Sequence, residues 1–476
     1  MHYVHATGLM VGARYRAGMG VGKREVVGEI SRRGEELVMR EIASRREQLV
    51  DLLVRLIAFD TRAQPPEGGG GEEAALQEYL RGRLLAAGFE VEVWEPDPSS
   101  FGAHLLEFPQ GYDFVGRPQL VARARGPGGG RNLLLNGHVD VVSVEPRERW
   151  RTDPLVGSVR RGAVYGRGAC DMKGGVAAMV LAAEVLRALE VPLLGDLILN
   201  TVTDEESTGG GSLATAFRGL GADGGLIPEP TSLSVWLGAR GSLLAKITVT
   251  GRPGHAGLTQ RDHFDGGAVN AIEKMQVVLD ALRRLRAEWQ VDPAIRNPHL
   301  AAGGIVPTAI TGGEWIVSYP ASCTLRCHVQ YLPEQADPDG RGGRVQREVE
   351  QRISAAAVTD AWLREHPPSV EWERGAVPTG LVAPDTPIAA TTLQTTRDLG
   401  LGGVIASRTT FFDGPTFTAA GTPTVAFGPG DINRAHTVDE HVSIDELVRA
   451  AQALAVTAMR FCGLAPPNHN QRRDLP

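Results

Sequence analysis

The chain is short of cysteine, of long apolar runs and of surplus positive charge, and each shortage removes a class of answer. Four cysteines, Cys170, Cys323, Cys327 and Cys462, are scattered over 476 residues. That is too few for a disulfide framework and favours a reducing, cytoplasmic setting. Cys323 and Cys327 stand C-x3-C in "CTLRCHVQYL" with no second Cys/His pair nearby, so they read as ordinary strand residues rather than a zinc knuckle. No apolar stretch approaches the roughly 18–20 residues that span a bilayer. The Gly-rich N-terminus lacks the sustained apolar core of a signal peptide. Lys and Arg number 49 against 56 Asp and Glu, a net charge of −7 that argues against nucleic-acid or anionic-membrane partners. "GPGGGRN" is Gly-rich but lacks the Lys-Ser/Thr ending of a phosphate-binding loop.

What is present is an alternation of strands and helices. Residues 1–34 are expected to be a disordered extension, and order to begin near Glu35, where "LVMREIASRREQLVDLLVRLIAF" has helical apolar spacing. "NLLLNGHVD" is a continuous apolar run, the pattern of a strand buried on both faces. A strong helix follows at "MKGGVAAMVLAAEVLRALE", then the strand "GDLILNTVT". This alternation predicts an α/β domain with a mixed sheet over 35–237 and 377–465. Between them, 238–376 read as an inserted two-layer α+β unit of β-α-β-β-α-β order. Ser443 is placed to N-cap the last helix, and 466–476 read as a flexible tail.

The segment "DLILNTVTDEES" ends a buried strand on three consecutive acids, Asp204, Glu205 and Glu206. Adjacent carboxylates there repel one another and are costly to desolvate unless something cationic sits among them. Other segments reach comparable points in the alternation. "NGHVDVV" leaves His138 and Asp140 beyond a strand, and "GRGACDMKGG" puts Asp171 at a helix N-terminus, where the dipole favours a carboxylate. "LIPEPTS" presents Glu229, and "INRAHTVDEH" presents His436. Singly, each has an ordinary structural explanation. In an open α/β sheet, however, the C-terminal strand ends share one edge, where sites form.

These stretches, with "YGRGACDMKGG", "TVTDEESTGGGS" and "VTGRPGHAG", run in the order of the M20 metallopeptidases and deacylases, which the chain resembles over about residues 40–465. The resemblance implies two divalent metal ions, usually zinc, with cobalt or manganese as alternatives. His138, Asp171 and Glu229 would hold one ion and Asp171, Glu206 and His436 the other, with Asp171 bridging. Asp140 would orient His138, and Glu205 would act as general base toward a shared water. The inserted unit corresponds to the family's lid and dimerisation domain. Its His255 would reach across a homodimer to help stabilise the tetrahedral oxyanion.

Arg240 falls where desuccinylases place a substrate-binding arginine. Gln330 and the pair Phe411 and Phe412 depart from the desuccinylase pattern and argue against a dicarboxylate acyl group. The expected reaction is removal of a short acyl group from an N-acyl amino acid, as in acetylornithine deacetylase. A dipeptidase or carboxypeptidase of the same family, or a deacylase or deformylase of a non-amino-acid amine, fits the same motifs. A metal-free descendant would show a damaged ligand position, and none is damaged.

Overall fold

The computed structural model describes residues 21–62, 71–101, 112–373, 377–405 and 411–466. Residues 1–20 of the expected extension and all but the first residue of the expected tail lie outside it. The first helix runs Val21–Ser44, upstream of the expected start at Glu35. Within it, Glu35 pairs with Arg460 at 2.7 Å, and the Met39 carbonyl accepts a hydrogen bond from Gln452.

Six strands form the main sheet, in the order Glu90–Trp94, Gln119–Ala124, Leu197–Val202, Leu133–His138, Gly224–Ile227 and Thr424–Ala426. The first two pair antiparallel, as does the second with the third; the last four are mutually parallel. The apolar runs of Leu133–His138 and Leu197–Val202 are buried at every position, as strands covered on both faces must be. Helices Lys173–Ala188 and Ile444–Cys462 pack on the sheet through Val176, Val180, Leu447, Leu454 and Phe461. Ser443 caps the second of these, accepting the Glu446 amide.

The four parallel strands bring their C-terminal ends to one edge. The approach there is close: a Cβ at Gly175 would stand 2.0 Å from the Pro228 carbonyl oxygen. Gly175→Ala should therefore destabilise the protein by about 1–3 kcal/mol, although alanine is the better helix former. An unchanged thermal midpoint would show that the helix and the 228–229 loop can separate without cost.

A second, four-stranded antiparallel sheet, ordered Gly304–Gly312, Ser322–Tyr331, Gly241–Thr250 and Ser369–Trp372, has its own core. Leu243, Ala245, Ile247 and Val249 face Met275, Val278, Leu282, Val345 and Val349 of the helices Ala271–Val291 and Gly343–Ala357. Cys323 and Cys327 are buried free thiols on the strand face that joins this core. The chain enters and leaves this unit through two short strands, Gly238–Ala239 and Gly380–Leu381, paired antiparallel. Strand Gly304–Gly312 is a sheet edge exposed from Val306 onward, and Trp315 and Ile316 beyond it are 69% and 94% exposed.

Candidate metal centre

His138 is the last residue of its strand and is buried. Its Nδ1 lies 2.9 Å from the Asp140 carbonyl oxygen, which turns Nε2 toward Asp171 Oδ1 at 3.1 Å. The nearer oxygen of the Asp140 carboxylate, Oδ1, is 3.7 Å from Nδ1. The carboxylate is committed elsewhere: Oδ1 accepts the Glu205 amide at 3.2 Å and Oδ2 the Glu206 amide at 3.1 Å. Asp140 thus fixes the histidine through its backbone and the acidic turn through its side chain.

Asp171 lies two residues ahead of the helix Lys173–Ala188 and follows a loop held by a residue the sequence did not single out. Glu440 is fully buried and accepts the amides of Cys170 and Asp171 at 2.8 and 3.1 Å, while Arg167 pairs with its other oxygen at 2.5 Å. Burial pushes the Glu440 carboxyl up to about 7. Both partners sit within the motif stretches, yet a buried acid and a solvated one look alike in sequence. Lys173 is also buried, with its Nζ donating to the Phe59 carbonyl and its pKa pushed down to about 7 by burial.

The two oxygens of Asp171 face opposite imidazoles. Oδ1 meets His138, and Oδ2 lies 3.5 Å from Nε2 of His436. His436 adopts φ 60° and is half-exposed, and its Nε2 is 3.0 Å from Glu206 Oε2. Ligand atoms of His138, Asp171 and Glu206 all fall within 4.8 Å of one another. Glu229 is buried beside them between Pro228 and Pro230, outside that 4.8 Å group, though its charge acts on His138 and is felt with those of Asp171 and Glu206. Glu205 is buried with Oε2 3.9 Å from His138 Nε2.

Crowding sets the electrostatics. Burial pushes the Glu205 and Glu229 carboxyls well above their ordinary range, and burial together with the Asp171 charge raises Glu206. Burial opposes a charge on His138, but Glu205 and Asp171 outweigh it and hold the imidazole well above its ordinary value. The hydrogen bond with Glu206 raises His436. Asp413 adds another buried carboxyl, pushed up to about 7 by burial, with Oδ2 accepting from Ser212 and Oδ1 without a hydrogen-bond partner among the described residues. Two imidazoles among clustered carboxylates form a nitrogen-and-oxygen donor set suited to divalent zinc, cobalt or manganese, and a cation removes the repulsion that burial imposes.

Two expected site residues belong to the second sheet's side of the chain. His255 is exposed on the inserted unit, and its Nδ1 accepts the Gly257 amide; among the described residues, none of its hydrogen bonds reaches the acidic cluster. Arg240 is half-buried where the chain enters the second sheet and donates from Nη1 to the Ala302 carbonyl at 3.0 Å. The two phenylalanines separate. Phe412 is fully buried, edge-to-face with Trp236, whereas Phe411 is half-buried with its ring against Gly209, just beyond the acidic turn. Only Phe411 borders that turn. No helix of the described residues is long and apolar enough to cross a membrane.

Comparison with known proteins gives one consistent answer. The chain is 29% identical over 444 residues to the N-formyl-4-amino-5-aminomethyl-2-methylpyrimidine deformylase of Halalkalibacterium halodurans, spanning 90% of this chain and 98% of that one. It is 30% identical over 419 residues to the acetylornithine deacetylase of Myxococcus xanthus, spanning 86% and 97%. Among solved structures, a tripeptidase from Staphylococcus aureus superposes with a TM-score of 0.65 at 20% identity, over 87% of this chain and 98% of that one. Human carnosine dipeptidase 1 gives 0.64 at 17%, over 90% and 98%. The profile of peptidase family M20/M25/M40 matches residues 134–460. Those residues hold every histidine and carboxylate of the cluster described above, and the chain belongs to that family.

Proposed function

We propose that this M20 hydrolase removes a formyl group from a primary amine carried on an aminopyrimidine, the reaction named for its full-length deformylase relatives. The observation that carries the reading is the span of that likeness. Two such deformylases, from H. halodurans and Bacillus subtilis, match over 98% and 97% of their own lengths at 29% and 28% identity. The site agrees in character. Phe411 presents an aromatic ring beside the acidic turn, and Gln330 stands where a desuccinylase arginine is expected. A small neutral acyl group on a flat, weakly charged amine suits such surroundings.

His138, Asp171, Glu206, Glu229 and His436 would hold two divalent ions, zinc first among the candidates. When bound, these supply charge that polarises the amide carbonyl and acidifies water. Glu205 takes the proton from the attacking water and delivers it to the departing amine nitrogen, a task for which a burial-raised carboxyl is suited. Asp140 keeps the acidic turn in register through the two amides it accepts.

A second reading, deacetylation of an N-acyl amino acid, is favoured by Arg240, whose guanidinium could meet an α-carboxylate. One panel separates them: the N-formyl aminopyrimidine, N-acetylornithine, N-succinyl-diaminopimelate, N-acetylmethionine and simple dipeptides, each assayed on wild type and Arg240→Ala. The formyl reading predicts turnover of the first and a kcat/KM within about threefold in the variant. Preferred cleavage of N-acetylornithine, with KM raised at least about tenfold in Arg240→Ala, would overturn it in favour of the second. Preferred cleavage of dipeptides would overturn both.

The active unit is proposed to be a homodimer joined through the inserted unit. His255 is exposed on the inserted unit, and among the described residues the exposed strand Gly304–Gly312 forms a sheet edge that carries Ile310, with Trp315 and Ile316 beyond it. Such an edge either pairs or risks aggregation. Ile310→Lys should yield a monomer by sedimentation, with metal retained and kcat reduced at least about 10²-fold through loss of the partner's oxyanion contact. Full activity in a verified monomer would rule out the shared site.

A further inference from the structure

We propose that Arg117 is a positioning residue for the reaction. It holds the turn that carries Glu205 and Glu206 by clamping Asp204 from beneath. The proposal rests on the reading of Glu205 as base and Glu206 as metal ligand.

Asp204, the first of the three consecutive acids, is buried, and its side chain is tied away from the metal cluster. It is 1% exposed and adopts φ 69°, a left-handed conformation that a non-glycine residue keeps only where its surroundings over-determine it. The surroundings do so. Arg117 Nη1 lies 2.9 Å from Asp204 Oδ1, while Tyr112 and Thr208 hydroxyls both donate to Oδ2. The Asp204 carbonyl accepts the amides of Thr208 and Gly209 at 3.2 and 2.8 Å. Upstream, Thr203 is tied to the same segment: its hydroxyl donates to the Arg117 carbonyl at 3.2 Å, and its amide donates to Gln119 at 2.9 Å.

The geometry then passes forward. With residue 204 fixed, the amides of Glu205 and Glu206 are directed at the two oxygens of Asp140, and their side chains are sent to opposite tasks. Arg117 is the cation of this clamp. Its side chain is 9% exposed and also pairs with fully buried Glu73 at 3.3 Å. Without it, two buried carboxylates lose the cation that holds them, and Asp204 is free to leave its place in the turn. Movement of Asp204 would release the backbone strain and rotate the following peptide. A displacement of about 1 Å in a catalytic group costs on the order of 10²-fold in rate.

The test compares Arg117→Gln, Arg117→Lys, Asp204→Asn and the double variant Arg117→Gln/Asp204→Asn in the metal-loaded protein, with Glu205→Gln as control. Folding is checked by circular dichroism, and rates are taken well below each thermal midpoint. The expected result for Arg117→Gln is a kcat reduced about 10–100-fold with KM within about threefold. The visible spectrum of the cobalt-loaded protein should shift as Glu206 loosens. Arg117→Lys should recover part of kcat, because an ammonium can face Asp204 but cannot fork to Glu73. The double variant should be no worse than the poorer single, since both act through one contact.

A kcat for Arg117→Gln within about threefold of wild type, or losses that multiply in the double variant, would overturn the proposal. If Arg117→Gln does not fold, Asp204→Asn alone decides, by the same kcat loss at constant KM or by wild-type kcat. An active Glu205→Gln control would instead refute the underlying reading of the base.

Discussion

Glu205→Gln is expected to lower kcat by about 10²–10⁴-fold while binding the full complement of metal. Glutamine keeps the shape and the backbone hydrogen bond to Asp140 but offers no basic oxygen. Metal should survive because the proposed ligands, His138, Asp171, Glu206, Glu229 and His436, are all left in place. Burial gives this carboxyl an unusual hold on a proton, as a shuttle between water and a leaving amine requires. The check is steady-state kinetics beside metal analysis of the same preparation. More than about a tenth of wild-type kcat in the fully loaded variant would remove Glu205 from the proton path.

Asp171→Asn should do the opposite and lose both metal equivalents along with activity, by about 10³-fold or more. The reason is its place between the imidazoles: one oxygen faces His138 and the other His436. An amide offers one carbonyl oxygen and a nitrogen that cannot ligate, so no rotamer serves both sides. His436→Ala, removing an end ligand that is half-exposed, should lose one equivalent and keep the other. Equilibrium dialysis against zinc or cobalt distinguishes the cases. Two tight equivalents in Asp171→Asn would mean the ions are held independently.

The parallel strands and the six motif segments were legible because each joins a period-specific apolar run to a polar turn. The second, antiparallel sheet was legible as a change of period after residue 237. Its edge strand Gly304–Gly312 was hidden because it is exposed on both faces from Val306 onward and carries no alternation to read. Within the site, residues at strand ends could be named, whereas those that hold them could not. Glu440 and Arg117 are charged side chains far in sequence from their partners, and only the fold reveals that both are buried. The same limit explains Asp140, whose carbonyl and carboxylate divide two tasks that one letter cannot separate. Phe411 and Phe412 are adjacent and identical in sequence, yet one is core and the other borders the acidic turn.

The strand Thr424–Ala426 completes the sheet beside Gly224–Ile227, and His436 and Glu440 follow it, on the far side of the insertion from His138 and Asp171. During synthesis the inserted unit, whose antiparallel sheet closes on its own core, leaves the ribosome before these partners do. The strand Gly224–Ile227 must then wait as an open, apolar edge. A nascent or truncated chain ending in the insertion would display that edge, with the proposed ligand set complete but for His436. Arrival of the C-terminal segment both seals the edge and delivers the last imidazole, so capture of the second ion and protection from aggregation are bound to the same late event.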